Sequence, residues 1–212
     1  MRLILASASP RRAELLRAAG LPFDVLPVAV DERASADETP DACVRRLASM
    51  KSAAGWAASR RSDALVLGAD TLVVVDGTML GKPGSDEEAR QMLARLSGRT
   101  HQVLTGISVR HRGGERCEVD TTDVFFAPLG TAEIDWYVQS GEGRDKAGAY
   151  AIQGLASRFV ERIEGSYSNV VGLPVALVYQ LIREVEPRCA FLASGVESRY
   201  PAGSSSSSRK SL

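Results

Sequence analysis

Asp70 stands inside an otherwise apolar run, DALVLGADTLVVVDG, whose composition is that of a buried strand. A carboxylate taken out of water finds partners or shifts its pKa upward. Such a residue serves as a general base, as a metal ligand, or as a structural acceptor for backbone N–H groups. Gly68, just before it, would permit a bulge or the close approach of a ligand. Lys51 interrupts the helical stripe Val44, Leu47, Lys51, Ala54, and Lys82 lies between Gly81 and Pro83. Either ammonium could meet an anion, and either also reads as a solvated amine, Lys51 by snorkelling from the edge of its stripe. Asp31 and Glu32 could hold a divalent cation together with substrate phosphate oxygens, or form a solvated acidic loop. Neighbours in an extended segment point opposite ways, so one of the two would enter a cleft.

The stretch LILASASPRRAELL poses an electrostatic question. Ser9 and Pro10 read as the cap and first position of a helix whose first turn then holds Arg11 and Arg12. Unpaired N–H groups and the macrodipole already make that end positive, so cations there are mildly unfavourable. Ser7, Ser9 and two guanidinium forks around a helix N-terminus make a site for an anion such as phosphate, unless the arginines pair with Glu14 or a distant acid. The glycines of a Walker A loop or a GxGxxG fingerprint are absent from this stretch.

The elements that must position these residues alternate between strand and helix. LILAS is followed by the helix PRRAELLRAA, stopped by Gly20, and by FDVLPVAV as a strand running into Asp31. Thr39 and Pro40 open a second helix, and the strand around Asp70 closes at Asp76-Gly77. MLGKPG leads to SDEEARQMLARL, a helix with Ser85 as cap and Glu88 in capping-box spacing. HQVLTGISVRH and ERCEVDTTDVFFAPL form a hairpin about Gly113-Gly114, AEIDWYVQSG a short helix, and LPVALVYQLIREV a last helix. The first half of GEGRDKAGAYAIQGLASRFVERIEGSYSNVVG reads as a loop folded over something.

The 212 residues are 44% hydrophobic and carry 26 basic and 26 acidic side chains. A net charge of zero gives no global field to draw the chain onto nucleic acid or a membrane, so any anion site is local. Cys43, Cys117 and Cys189 are scattered and form no CxxC, and the N-terminus lacks a secretory pattern, which points to the cytoplasm. His101 and His111 are too few for a zinc site of the usual type.

Six blocks, LASASPRRAELL, VRRLASMKSAAG, GADTLVVVDGTMLGKPG, LSGRTHQVLTG, DKAGAYAIQG and GSYSNVVGLP, together resemble the Maf proteins, in order from the first strand to the last helix. The resemblance implies an α/β fold of two lobes: an elongated mixed sheet flanked by helices, with a cleft between the lobes, similar to inosine triphosphate pyrophosphatase. It implies a Maf-like domain over residues 1–187, followed by a serine-rich tail at 188–212 that reads as disordered. A homodimer is expected as well.

The activity implied is hydrolysis of a nucleoside triphosphate to the monophosphate and pyrophosphate, as nucleotide-pool housecleaning. GADT and DKAGAYAIQG resemble the branch acting on dTTP and UTP, with modified pyrimidines as further candidates. By the same resemblance Asp70 is the proton acceptor, and Arg11, Thr71 and Gln153 set substrate choice. Ser9, Arg12, Glu32, Lys51 and Lys82 complete the polar cleft, and Lys146 is a further phosphate contact. A divalent cation, Mg2+, Mn2+ or Co2+, would sit on Glu32 and Asp70. Lys51 and Lys82 would neutralise charge on the leaving pyrophosphate. The alternative is a nucleotide-binding regulator of cell division, an inhibitor of septum formation, that turns nothing over. Replacing Arg11 and Arg12 with alanine is expected to weaken nucleotide use and leave the fold intact.

Overall fold

The computed structural model describes residues 2–33, 35 and 37–187; the serine-rich stretch 188–212 lies outside the described residues. In chain order the elements are β1 (Arg2–Leu5), α1 (Pro10–Ala18), β2 (Phe23–Val25), α2 (Pro40–Ser59), β3 (Ala64–Val75), β4 (Thr78–Leu80), α3 (Asp86–Leu96), β5 (Thr100–His111), β6 (Gly114–Phe126), α4 (Thr131–Ser140), β7 (Val160–Glu164), α5 (Tyr167–Val171) and α6 (Val175–Val185). Short 3-10 turns occupy Ala147–Ala149 and Leu155–Phe159. The strands form one mixed sheet of seven in the order β2-β1-β3-β5-β6-β7, with β4 also pairing β3. The β1 pairings are parallel and the rest antiparallel.

The long strands β3 and β5 run through two cores, and this makes the two lobes. Leu65, Leu67 and Ala69 join Leu3, Leu16, Val109 and Ile182 in one core. Farther along the same face of β3, Val73 and Val75 join Leu93, Val103, Tyr137 and Phe159 in the other. Between the lobes one edge of β3 is bare. β1 pairs with β3 only as far as Leu67, and β4 begins pairing at Val73 on that same side, because β5 takes the other. Residues 68–72 therefore face a notch in the sheet.

Helix α2 covers the opposite face of β3 and β5 at unusually short range. A Cβ on Gly68 would lie 2.3 Å from the Ala48 carbonyl oxygen and 2.5 Å from the Ser52 nitrogen, and one on Gly106 would lie 2.2 Å from the Val44 carbonyl oxygen. The β3–β5 register is continuous through Gly68, so the bulge or ligand approach expected there is replaced by the approach of a helix backbone.

Two local readings are corrected. The FDVLPVAV strand is only Phe23–Val25, because β1 ends at Leu5, whose carbonyl takes its last neighbour bond from Leu26 N–H, and Pro27 has none to give. The Ser85 hydroxyl does accept from Glu88 N–H, yet the Glu88 carboxylate accepts from Gly84 N–H at 2.7 Å and leaves the capping box open. The glycine-rich segment keeps its expected loop in the first half, and its second half, left unassigned by the sequence, forms β7 and α5.

His101 is buried in the second lobe, its Nε2 2.8 Å from the Tyr150 hydroxyl and its ring edge-on to Phe126. Burial pushes its pKa down from 6.5 to about 4, with Asp123 opposing weakly. The folded state therefore binds fewer protons than the unfolded chain between those values. Stability is full above pH 6.5 and falls as pH drops toward 4, by on the order of 3 kcal/mol from this group. Urea unfolding across that range should show the slope in the wild type and a flatter one in His101→Gln. Gly68→Ala should cost about 3 kcal/mol by forcing α2 off the sheet, read by the same measurement at pH 7.

Candidate active site

The notch opens into a cleft of about 500 Å³ between the lobes. Nine of the residues singled out from the sequence, Ser9, Arg11, Arg12, Glu32, Lys51, Asp70, Thr71, Lys82 and Gln153, line it, as does Ser7. Lys146 lines it too, whereas Asp31 turns away and is held by Arg33. Adjacent strand residues point to opposite faces, so Asp70 faces α2 and Thr71 faces α1 and α5.

On the α2 side, Lys51 is buried and its Nζ donates to Asp70 Oδ1 at 2.6 Å. The same ammonium lies 2.6 Å from Glu32 Oε1, while Lys82 Nζ stands 4.0 Å from Glu32 Oε2. Among the described residues Asp70 Oδ2 takes no hydrogen bond. Partial burial would raise the Glu32 carboxyl, but the hydrogen bond and charge of Lys51, with Lys82 and Arg12 beyond, hold it below its ordinary value. Two hard carboxylates that each keep one oxygen off Lys51 suit Mg2+ or Mn2+, which take one or two carboxylates and complete their shell with phosphate and water. Among the described residues there is no group of three or more His, Cys, Asp or Glu that could hold a metal ion alone.

On the other side Arg12 is buried and largely spent. Nε donates to the Gly172 carbonyl at 2.8 Å, Nη1 to the Ala69 carbonyl at 2.8 Å and to Ser7 Oγ at 3.2 Å, and Nη2 to Thr71 Oγ1 at 3.1 Å. Four of its five N–H donors are thereby engaged within the chain. Its guanidinium covers the bare edge of β3, and burial lowers its pKa while Asp70 and Glu32 pull it back. Ser9 holds the N-cap position of α1 without a side-chain cap bond, and its N–H instead donates to Ser7 Oγ.

Arg11 has a different setting. Its guanidinium is 3.7 Å from Asp145 Oδ2, and Asp145 also pairs with Lys146. Burial would raise the Asp145 carboxyl, but the hydrogen bond and charge of Lys146 and the charge of Arg11 outweigh it, so its pKa is lowered. Asp145 went unread in the sequence. Its signal was a lone acid beside a lysine among glycines, a pattern that solvated loops share. Gln153 is exposed and makes no hydrogen bond among the described residues, so both its amide donor and its acceptor face the cleft free.

Cationic donors, two carboxylates on a lysine and a free amide in one cleft can take a polyanion, a hard cation and a polar ring. Comparisons with known proteins agree. A family model described as Maf-like protein matches residues 2–185. The dTTP/UTP pyrophosphatase of Syntrophus aciditrophicus is 51% identical over 186 residues, covering 87% of this chain and 90% of its own. That of Methylococcus capsulatus is 50% identical over 195 residues, covering 92% and 96%. The Staphylococcus aureus Ham1 protein shares the fold, with a TM-score of 0.50 at 18% identity over 87% of this chain and 100% of that one.

The buried clamp corrects the expectation that both arginines can be removed without loss of stability. Arg12→Ala would strip the Gly172 and Ala69 carbonyls of a charged donor and should lower stability by about 3 kcal/mol. Arg11→Ala gives up one long, half-exposed ion pair and should stay within about 0.5 kcal/mol of wild type in thermal or urea unfolding.

Proposed function

The chain belongs to the Maf-like family, and on that premise we propose that it hydrolyses pyrimidine nucleoside triphosphates, dTTP and UTP first, to the monophosphate and pyrophosphate. The observation that carries the reading is the meeting in one cleft of the Asp70–Lys51–Glu32 cluster, further cations and the free amide of Gln153. Among the described residues no helix is long and apolar enough to cross a membrane. A cytoplasmic homodimer accompanies this reading, as the sequence suggests.

The chain's own groups account for the chemistry. Arg11, Lys146 and the N-terminus of α1 bind and orient phosphate oxygens, which replace Asp145 as the partner of both side chains. Arg12 contributes a remaining donor and fixes the floor. Asp70 takes a proton from the attacking water at Oδ2, with Lys51 holding Oδ1 in place. Lys51 and Lys82 stabilise charge on the departing pyrophosphate. Gln153 presents a donor and an acceptor to the pyrimidine edge, and Thr71 shapes the floor from its bonds to Arg12 and Thr105. A divalent cation would be held by Glu32 and the phosphate oxygens beside Asp70, and would supply charge neutralisation on the polyphosphate and a more acidic water for Asp70 to deprotonate.

Purified protein with Mg2+, Mn2+ or Co2+ should release pyrophosphate from UTP and dTTP, and chelation of the metal should stop it. Asp70→Asn should still bind nucleotide while its kcat falls by about a thousandfold. Turnover no faster than a blank across a panel of common and modified nucleotides would sink the proposal, and binding without turnover would favour the regulator instead.

A further inference from the structure

Gln153 lies on an arc of chain that Gly154 N–H closes as a turn on the Ala151 carbonyl at 3.1 Å, and the turn itself has to be fixed against the rest of the molecule. Its neighbours are tied down by two side chains outside the cleft lining. The Glu142 carboxylate accepts from Leu155 N–H at Oε1, 2.9 Å, and from Ala156 N–H at Oε2, 3.4 Å. The fully buried Tyr137 donates its hydroxyl to Glu142 Oε2 at 2.8 Å and accepts from Ala151 N–H at 3.1 Å. Ala151, Leu155 and Ala156 bracket Gln153 on both sides, so one carboxylate and one phenol fix where the arc begins and ends. Gly154 belongs to the same device, since a Cβ there would lie 1.8 Å from Glu142 Oε1 and would expel the carboxylate.

Tyr137 is anchored independently of the loop. It sits on α4 in the second core, edge-on to Phe159 with ring centroids 5.5 Å apart. A hydrogen bond to a charged acceptor is stronger than a neutral one, and a carboxylate that takes a phenol and two amides leaves little freedom to any of them.

We propose that Glu142, oriented by Tyr137, is a positioning residue that sets the place of Gln153 and through it the discrimination among nucleobases. This rests on the reading of Gln153 as the base contact. Arg11, Arg12, Lys51, Lys82 and Asp70 lie outside this loop, and Lys146 precedes the arc that begins at Ala151, so loosening the arc leaves the bond-breaking groups in place and changes how the ring is held.

Glu142→Ala should lower kcat/KM for UTP by about tenfold, chiefly by raising KM, and should narrow the ratio of UTP to purine nucleotide turnover. Glu142→Gln keeps an acceptor and should recover part of that ratio, and Tyr137→Phe should behave like the alanine variant. In a Gln153→Ala background, Glu142→Ala should narrow the ratio no further. Hydrogen exchange at the Ala151, Leu155 and Ala156 amides, measured without nucleotide, should speed up in Glu142→Ala and Tyr137→Phe. Unchanged exchange, an unchanged nucleotide ratio, or effects of Glu142→Ala and Gln153→Ala that multiply independently would each overturn the proposal. A wild type that turns over no nucleotide would refute the functional reading and the base-choice role together, while the exchange data would still decide whether Glu142 holds the arc.

Discussion

Helix α2 lies on β3 and β5 with no side chain between them at Gly68 and Gly106, and the centre of the cleft follows from that contact. At this range Lys51 cannot snorkel. The residue is only 7% exposed, and an unpaired charge there would cost several kcal/mol. Two carboxylates meet it, one from the strand beneath and one from the irregular segment after β2. Glu32 thus reaches the centre through an ion pair rather than through regular structure. The acid between LVLGA and TLVVV and the lysine in an apolar stripe answer each other.

The notch supplies the second half of the site. Where β1 has ended and β4 has not begun, β3 shows bare carbonyls to the cleft, and bare carbonyls away from water need donors. Arg12 meets one of them and reaches across to Gly172 before α6. Its place in the first turn of α1 is tolerated because tertiary acceptors take four of its N–H donors and the Asp70 and Glu32 charges partly offset its burial. Asp70 and Thr71 consequently serve two different walls although they are neighbours in sequence.

Much of this was legible in the chain and some was not, for a physical reason. Alternating apolar runs gave the strands, and Thr39 and Ser85 marked helix starts whose hydroxyls do accept from Ala42 and Glu88. Asp70 and Lys51 stood out because polar groups in apolar patterns must be paired or used. The fate of Arg12 was hidden, since its carbonyl partners lie 57 and 160 residues away and leave no local mark. The meaning of Gly68 was hidden likewise, because a close-packed helix and a close ligand ask for the same missing Cβ. Glu142 and Tyr137 look like ordinary surface and core residues until the backbone amides they hold are seen.

The charges around the cleft show why the resting site can be stable and still receive an anion. Arg11, Arg12, Lys51, Lys82 and Lys146 outnumber Glu32, Asp70 and Asp145, so the cleft keeps a positive surplus within a chain of zero net charge. The acids are unequal in what holds them. Asp70 is buried against Lys51, whereas Asp145 is well exposed and pairs with Arg11 across a long contact, which solvent weakens. An incoming polyphosphate can therefore take the place of Asp145 at small cost and cannot displace Asp70. On the proposed reading the exchange would fall at Arg11 and Lys146, while the carboxylate at the centre stays on Lys51 with its other oxygen free.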